Sequence, residues 1–187
     1  TFKIITAAAG LEEGKINQQT LIEDTGVITV GSYRYSNWYF TQYGRTEGLV
    51  NITKALQRSN DIYFYKLGEM TGAGKIIDWS KKFHLGNYTG IDLEGEVTGF
   101  LPDPYSGDWF LGNTYHLAIG QGALGLTPLQ VNQMTSVIAS GGKLCKPIIR
   151  AKTEVGSGTR LDSAVEPRRK PEGDCHDVGI KLETIKI

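Results

Sequence analysis

The chain has 187 residues, enough for one sizeable domain with its own core. Apolar residues make up 40% and charged residues 21%, an ordinary balance for a globular protein. Lys+Arg and Asp+Glu are 20 each, so there is no basic excess to neutralise phosphate and no case for a nucleic-acid partner. No window approaches the roughly 20 continuous apolar residues of a membrane span. His84, His116 and His176 lack any paired spacing, so no metal site is expected. Cys145 and Cys175 are too few for a disulfide framework. Nothing in their spacing calls for a bridge, so they read as unpaired thiols, with a single bridge as the alternative.

No signal peptide is visible. The chain opens at Thr1-Phe2-Lys3 inside what reads as a helix and stops at Ile185-Lys186-Ile187 inside another periodic stretch. Both ends therefore read as cuts, and the lack of an anchor carries no information on location. Residues 1–13 have a helical pattern, with Phe2, Ile5 and Ala9 near one face and Gly14 as the stop. Residues 17–50 hold Tyr33, Tyr35, Trp38, Tyr39, Phe40 and Tyr43 among glycines. Val27-Ile28-Thr29-Val30 between Gly26 and Gly31 predicts one short strand, and the rest reads as an aromatic loop or a set of short helices.

The helical period returns over Asn51–Met70 through Ile52, Leu56, Tyr63 and Leu67, and again from about Gly74 to Phe83. Residues 87–115 read as irregular and turn-rich, and Ala118 to Gly122 as a short apolar segment between glycines. The best-specified helix starts at Thr127, a natural N-cap. Pro128 suits the first helical position, Gln130 completes a capping box, and Gly141-Gly142 is the stop. Residues 151–176 read as a polar, extended excursion, and 177–187 as the start of another helix.

Three stretches could carry chemistry. Thr1-Phe2-Lys3 supplies the end of a Ser-x-x-Lys pattern, in which residues three apart are neighbours on a helix and a desolvated lysine can act as general base. Read blandly, Lys3 is a solvated surface residue. In Ser59-Asn60-Asp61, Ser59 caps a helix starting at Asn60, with Asp61 at the positive end of its dipole. Ser59 and Asp61 can share a cleft only if the helix breaks there, since positions two apart diverge on one helix. Gly120-Gln121-Gly122 followed by Thr127-Pro128-Leu129-Gln130 is at least a tight turn feeding a capped helix. Lys152-Thr153-Glu154 is not a Lys-Thr-Gly strand, because Glu154 would obstruct substrate at a strand edge. Gly156-Ser157-Gly158 lacks the strand–turn–helix setting of a nucleophile elbow.

In order and spacing these elements resemble the transpeptidase domain of class B penicillin-binding proteins, most closely the elongation-type penicillin-binding protein 2 group. The match runs through Thr1-Phe2-Lys3-Ile4, then Ala55-Leu56 to Ser59-Asn60-Asp61 and Tyr63-Phe64-Tyr65. It continues through Tyr88-Thr89-Gly90-Ile91-Asp92-Leu93 and Gly120-Gln121-Gly122 to Thr127-Pro128-Leu129-Gln130. The resemblance implies an α+β fold shared with serine β-lactamases: an antiparallel sheet covered by helices, beside a largely helical subdomain. Residues 1–187 would be a partial domain, mostly that subdomain. The nucleophilic serine would lie one residue before Thr1 and the Lys-Thr-Gly strand after Ile187, so this stretch alone would be inactive.

The implied activity is a peptidoglycan D,D-transpeptidase, acting on D-Ala-D-Ala stem peptides through a serine acyl-enzyme and acylated by β-lactams. Lys3 would be the base, Ser59 a proton relay, and Asp61 a hydrogen-bonding anchor. Asn60, Gly120, Gln121 and Gly122 would line the substrate. No metal or organic cofactor is implied. The intact protein would be membrane-anchored, face the extracytoplasmic side and work with a cell-wall glycosyltransferase. A serine β-lactamase and a non-catalytic β-lactam sensor or scaffold are the alternatives. The aromatic region over 17–50 and the Gly120–Gln130 segment argue against the first.

Overall fold

The computed structural model describes residues 1–149 and 174–187. Helix α1 (Lys3–Glu12) is the centre of the packing. It is buried on most sides rather than amphipathic, which its short side chains at Ala7, Ala8 and Ala9 permit. After α1 come β1 (Ile22–Asp24), β2 (Val27–Val30), β3 (Tyr33–Ser36), α2 (Trp38–Tyr43), β4 (Gly48–Val50), α3 (Ile52–Arg58) and α4 (Asp61–Thr71). Next are α5 (Ala73–Lys82), α6 (Leu111–Ala118), α7 (Pro128–Ala139), β5 (Lys143–Cys145), β6 (Cys175–Asp177) and the single turn α8 (Leu182–Ile185). The mixture of helix and strand, with helices dominating, is the α+β architecture expected.

The strands form three separate antiparallel ribbons, β1–β4, β2–β3 and β5–β6. The region over 17–50 is thus more ordered than its aromatic, glycine-dotted sequence suggests. The expected strand at Val27–Val30 is present, and it pairs with Tyr33–Ser36, which the sequence did not mark. In that hairpin Tyr35 packs edge-on to Tyr65 and Tyr115, at centroid distances of 5.8 and 5.0 Å. Tertiary contact with α4 and α6, rather than local alternation, is what stabilises the second strand.

Phe2, just ahead of α1, and one face of the helix (Ile5, Ala8, Ala9) pack with Ile76 and Ile77 of α5, Leu117 of α6, and Met134 and Val137 of α7. On the other side Ala7 joins Ile52, Ala55, Tyr63, Phe64 and Leu67. Two glycines allow the helices to close up. A Cβ on Gly10 would lie 2.5 Å from Leu67 Cδ1, and one on Gly68 would lie 2.6 Å from Ala118 Cβ. Side-chain volume at Gly10 would displace the buried Leu67 side chain, and at Gly68 it would force α4 away from α6.

Helix α6 lies partly within the stretch expected to be irregular. Leu111, Tyr115 and Ala118 do follow a helical period, but Gly112 and the flanking glycines hide it. The Phe110 N–H donates to Asn113 Oδ1, which closes the first turn. At α7 the capping box forms as expected: Gln130 N donates to Thr127 Oγ1 at 3.2 Å, and Thr127 N donates to Gln130 Oε1 at 3.0 Å. The remaining amide group of Gln130 donates to Asn87 O and Thr98 O, tying the long 83–110 connection to α7.

The reading of Cys145 and Cys175 as unpaired thiols is overturned. They form a disulfide at opposed positions of β5 and β6, across 30 residues of sequence. The strand register, invisible in the spacing, is what brings them together. Lys152-Thr153-Glu154, Gly156-Ser157-Gly158 and most of the expected polar excursion lie outside the described residues.

Candidate active site

Lys3 is the first residue of α1, and its long side chain runs past the Phe64 ring, 5.5 Å from the centroid. It is buried, not the solvated surface residue of the bland reading. Its Nζ donates three hydrogen bonds: to Ser59 O at 2.8 Å, to Ser59 Oγ at 2.9 Å and to Asp61 Oδ1 at 2.6 Å. These use all three donors of an ammonium group.

The helix break expected at Ser59-Asn60-Asp61 is present, but Ser59 does not start the second helix. It ends α3 in the left-handed region, at φ 51°. Asn60 is the N-cap of α4, its Oδ1 accepting from Tyr63 N at 2.9 Å. A non-glycine residue in this conformation is uncommon and persists only where its surroundings hold it. Here the reversal turns the Ser59 hydroxyl and the Asp61 carboxylate to the same side, toward Lys3.

Asn60 corrects the sequence reading. It was expected to line the substrate, but its side chain is fully buried and points the other way. Its Nδ2 donates to Asp24 Oδ2 at 2.9 Å and to Glu47 Oε2 at 3.2 Å. Asp24, Asn37 and Glu47, which the sequence did not single out, form a polar layer beneath the Ser59 turn. Glu47 Oε1 accepts from Arg58 Nε at 2.5 Å, and Asn37 Oδ1 accepts from Asp61 N at 3.2 Å. The positions are 13 to 36 residues apart from Asp24, so no local motif could have flagged them.

The Gly120-Gln121-Gly122 turn follows directly from α6. Thr6 Oγ1 of α1 donates to Ala118 O at 2.7 Å, and Gln121 N donates to His116 O at 2.8 Å. Gly120, at φ +78°, lies against Phe2, where a Cβ has no room. Gly120 and Gly122 therefore shape the turn, while the exposed Gln121 reaches an open groove of about 330 Å³. That groove is lined by Ser36, Trp38, Asp61, Tyr65 and Gln121 among others. Burial, then the negative charge of Asp61, pushes the Tyr65 hydroxyl well above its ordinary pKa, so it faces the groove as a neutral hydroxyl. The Trp38 backbone N–H donates to Asp61 Oδ2 at 3.3 Å and its indole N–H to Arg58 O at 2.9 Å.

A buried lysine, a serine hydroxyl within hydrogen-bond reach and a carboxylate that both holds the lysine and lines the open groove make a proton-transfer constellation. The family model described as the penicillin binding protein transpeptidase domain matches residues 1–177. The chain is 34% identical to the peptidoglycan D,D-transpeptidase MrdA of Acinetobacter baumannii, covering 100% of this chain and 28% of that protein. It resembles the crystal structure of penicillin-binding protein 2 of Pseudomonas aeruginosa in complex with WCK 5153, with a TM-score of 0.79 and 28% identity over 100% of this chain and 41% of that one. A chain from a peptidoglycan synthase complex that coordinates polymerization and crosslinking matches with a TM-score of 0.79 and 25% identity, over 99% of this chain and 30% of that one. The chain spans 28% of the length of the curated relatives that it matches first. With this fold, this constellation and these matches together, the chain belongs to the penicillin-binding protein transpeptidase domain family.

Proposed function

We propose that residues 1–187 form part of the transpeptidase domain of a peptidoglycan D,D-transpeptidase. The observation that carries this reading is the meeting of Lys3, Ser59 and Asp61 at 2.6–2.9 Å in a chain of this family. A serine one residue before Thr1 in the full-length protein would sit one helical turn from Lys3. Lys3, after giving up one of its three ammonium protons, takes the proton of that serine as its oxygen attacks the penultimate D-alanine carbonyl of a stem peptide. The tetrahedral intermediate collapses as Ser59 passes its hydroxyl proton to the departing D-alanine amine. Lys3 then returns a proton to Ser59. An amine of a second stem attacks the acyl-enzyme by the reverse route, and a β-lactam acylates the same serine. Asp61 holds Lys3 in place, and Gln121 on the facing wall contacts the bound peptide.

The Cys145–Cys175 disulfide supports an oxidising, extracytoplasmic setting, since such bridges are rare where thiols are kept reduced. Among the described residues, no helix is long and apolar enough to cross a membrane. A glycosyltransferase partner fits the synthase complex to which one similar chain belongs.

The test is acylation of the full-length protein by a fluorescent penicillin, with the labelled peptide identified by mass spectrometry and D-alanine release measured on a stem peptide. The expected result is a long-lived adduct on the serine preceding Thr1, together with D-alanine release. Rapid penicillin turnover would make the protein a β-lactamase. A residue other than serine at that position, with no adduct, would make it a scaffold or sensor. Residues 1–187 alone, which contain no Ser-x-x-Lys serine ahead of Lys3, should remain unlabelled.

A further inference from the structure

Asp24 lies at the end of β1, 2% exposed, and the hydrogen-bond partners of its carboxylate include neither Lys3, Ser59 nor any groove-lining residue. It nevertheless accepts four hydrogen bonds. Gly26 N donates to Oδ1 at 2.9 Å. Asn37 Nδ2 at 2.9 Å, Asn60 Nδ2 at 2.9 Å and Glu47 N at 3.0 Å all donate to Oδ2. Burying a carboxylate is costly unless it is hydrogen-bonded, and these four donors, one on Oδ1 and three on Oδ2, offset that cost.

Two of the four donors lead straight to the candidate site. Asn60 follows Ser59 in the chain and caps α4 through its other side-chain atom. Asn37, also fully buried, accepts the Asp61 N–H on its Oδ1 while its Nδ2 is held by Asp24. Both residues after Ser59 are therefore suspended from one carboxylate: Asn60 by its side chain, Asp61 by its backbone through Asn37. Ser59 itself holds an uncommon left-handed conformation, and its carbonyl and hydroxyl oxygens both accept from Lys3. A strained residue of this kind keeps its geometry only if its neighbours are fixed.

We propose that Asp24 is a positioning residue for the acyl-transfer site, setting the left-handed Ser59 turn and hence the placement of the Ser59 hydroxyl and Asp61 carboxylate around Lys3. This inference rests on the reading of the site as a transpeptidase. Asp24→Asn keeps size and burial but supplies an N–H₂ where one of two acceptors stood. It therefore sets donor against donor, either at Gly26 N or at the cluster on Oδ2. Asn37→Ala leaves three of the Asp24 bonds and cuts only the link to Asp61.

The experiment is acylation of the full-length protein by a fluorescent penicillin across a concentration series, which separates the binding constant from the maximal acylation rate. Both variants should lower the maximal rate by about tenfold or more, because misplacement of reacting groups by an ångström or less costs rate. The binding constant should change by less than about threefold if placement, not binding, is at fault. Val137→Ala, a core truncation in α7 outside the site, is the stability control. It should lower the melting temperature and leave the acylation rate unchanged. If Asp24→Asn does not fold, Asn37→Ala carries the same test. Wild-type acylation rates in the folded variants, or a loss matched by Val137→Ala at equal melting temperature, would overturn the proposal. Failure of the wild-type protein itself to acylate would instead overturn the transpeptidase reading.

Discussion

Lys3 and Asp61 are 58 positions apart in the chain, yet Lys3 Nζ lies 2.6 Å from Asp61 Oδ1, in a pair whose side chains are only 10% and 17% exposed. A charge pair so far out of water must be judged by what remains when one member is removed. The unpaired partner keeps its desolvation cost and loses its attraction.

Lys3→Met retains most of the apolar stem and removes the charge with all three donors. It should cost about 3 kcal/mol of stability, read by denaturant unfolding of the full-length protein, because Asp61 is left without its cation. The double variant Lys3→Met/Asp61→Asn should recover a substantial part of that loss. In either variant the acylation rate should fall by about a hundredfold or more, the scale of a lost acid–base group. Additive stability losses, with no recovery in the double variant, would show that the two side chains are uncoupled.

Reduction of Cys145–Cys175, or Cys145→Ser with Cys175→Ser, opens a loop spanning 30 residues of sequence. The chain-entropy account gives a loss of about 3 to 4 kcal/mol. For a chain of this size that corresponds to a melting temperature lower by roughly 7 to 14 °C, measurable by calorimetry with and without reductant. An unchanged melting temperature would mean that the β5–β6 ribbon holds its loop without the bridge.

At the α4–α6 crossing, Gly68→Ala should destabilise despite the better helix propensity of alanine. The propensity gain is about 1 kcal/mol. Against it stands the Ala118 Cβ at 2.6 Å, a short side chain with no rotamer to yield, and overpacking costs about 1 to 3 kcal/mol. A lower denaturant midpoint at unchanged slope is expected. A midpoint equal to or above wild type would show that the two helices separate freely.

Alkaline pH should expose the buried tyrosines. Burial pushes the Tyr63 hydroxyl up to about 12. Tyr65 and Tyr115 are raised further, again chiefly by burial. In the unfolded chain these phenols ionise near pH 10. Their neutral, buried state therefore adds stability that is complete below pH 10 and is lost as pH rises through the folded values. Phenolate absorbance from these three should appear only with unfolding. The Tyr63 hydroxyl has no hydrogen-bond partner among the described residues, so Tyr63→Phe should match or exceed wild-type stability at neutral pH and lose less of it above pH 10. A large loss at neutral pH would show that the hydroxyl is satisfied.

Local signals were enough for the helices with strong period or clear caps. The Thr127–Gln130 capping box, the Val27–Val30 strand and the break near Ser59 all follow from side-chain chemistry within a few residues, and each is present. Family membership too was legible, because several short motifs in a fixed order are specific even when each alone is weak. The strand Tyr33–Ser36, helix α6 and the disulfide were not. Each depends on a partner distant in sequence: Tyr65 and Tyr115 for the strand, Ala118 against Gly68 for α6, and the β5–β6 register for the cysteines.

The candidate site divides along the same line. The residue types Lys3, Ser59, Asp61 and Gln121 could be named from the sequence, because their chemistry and spacing are intrinsic to it. Which way each side chain points could not. Asn60 lies between two residues that meet Lys3 and itself faces inward, because the left-handed turn at Ser59 reverses the chain and Asp24 holds the amide. Backbone conformation at one residue and hydrogen bonds spanning 13 to 58 positions decide that geometry. Such contacts form only when the helices and ribbons close around α1, so the sequence determined which groups are available and the tertiary structure decided which of them meet.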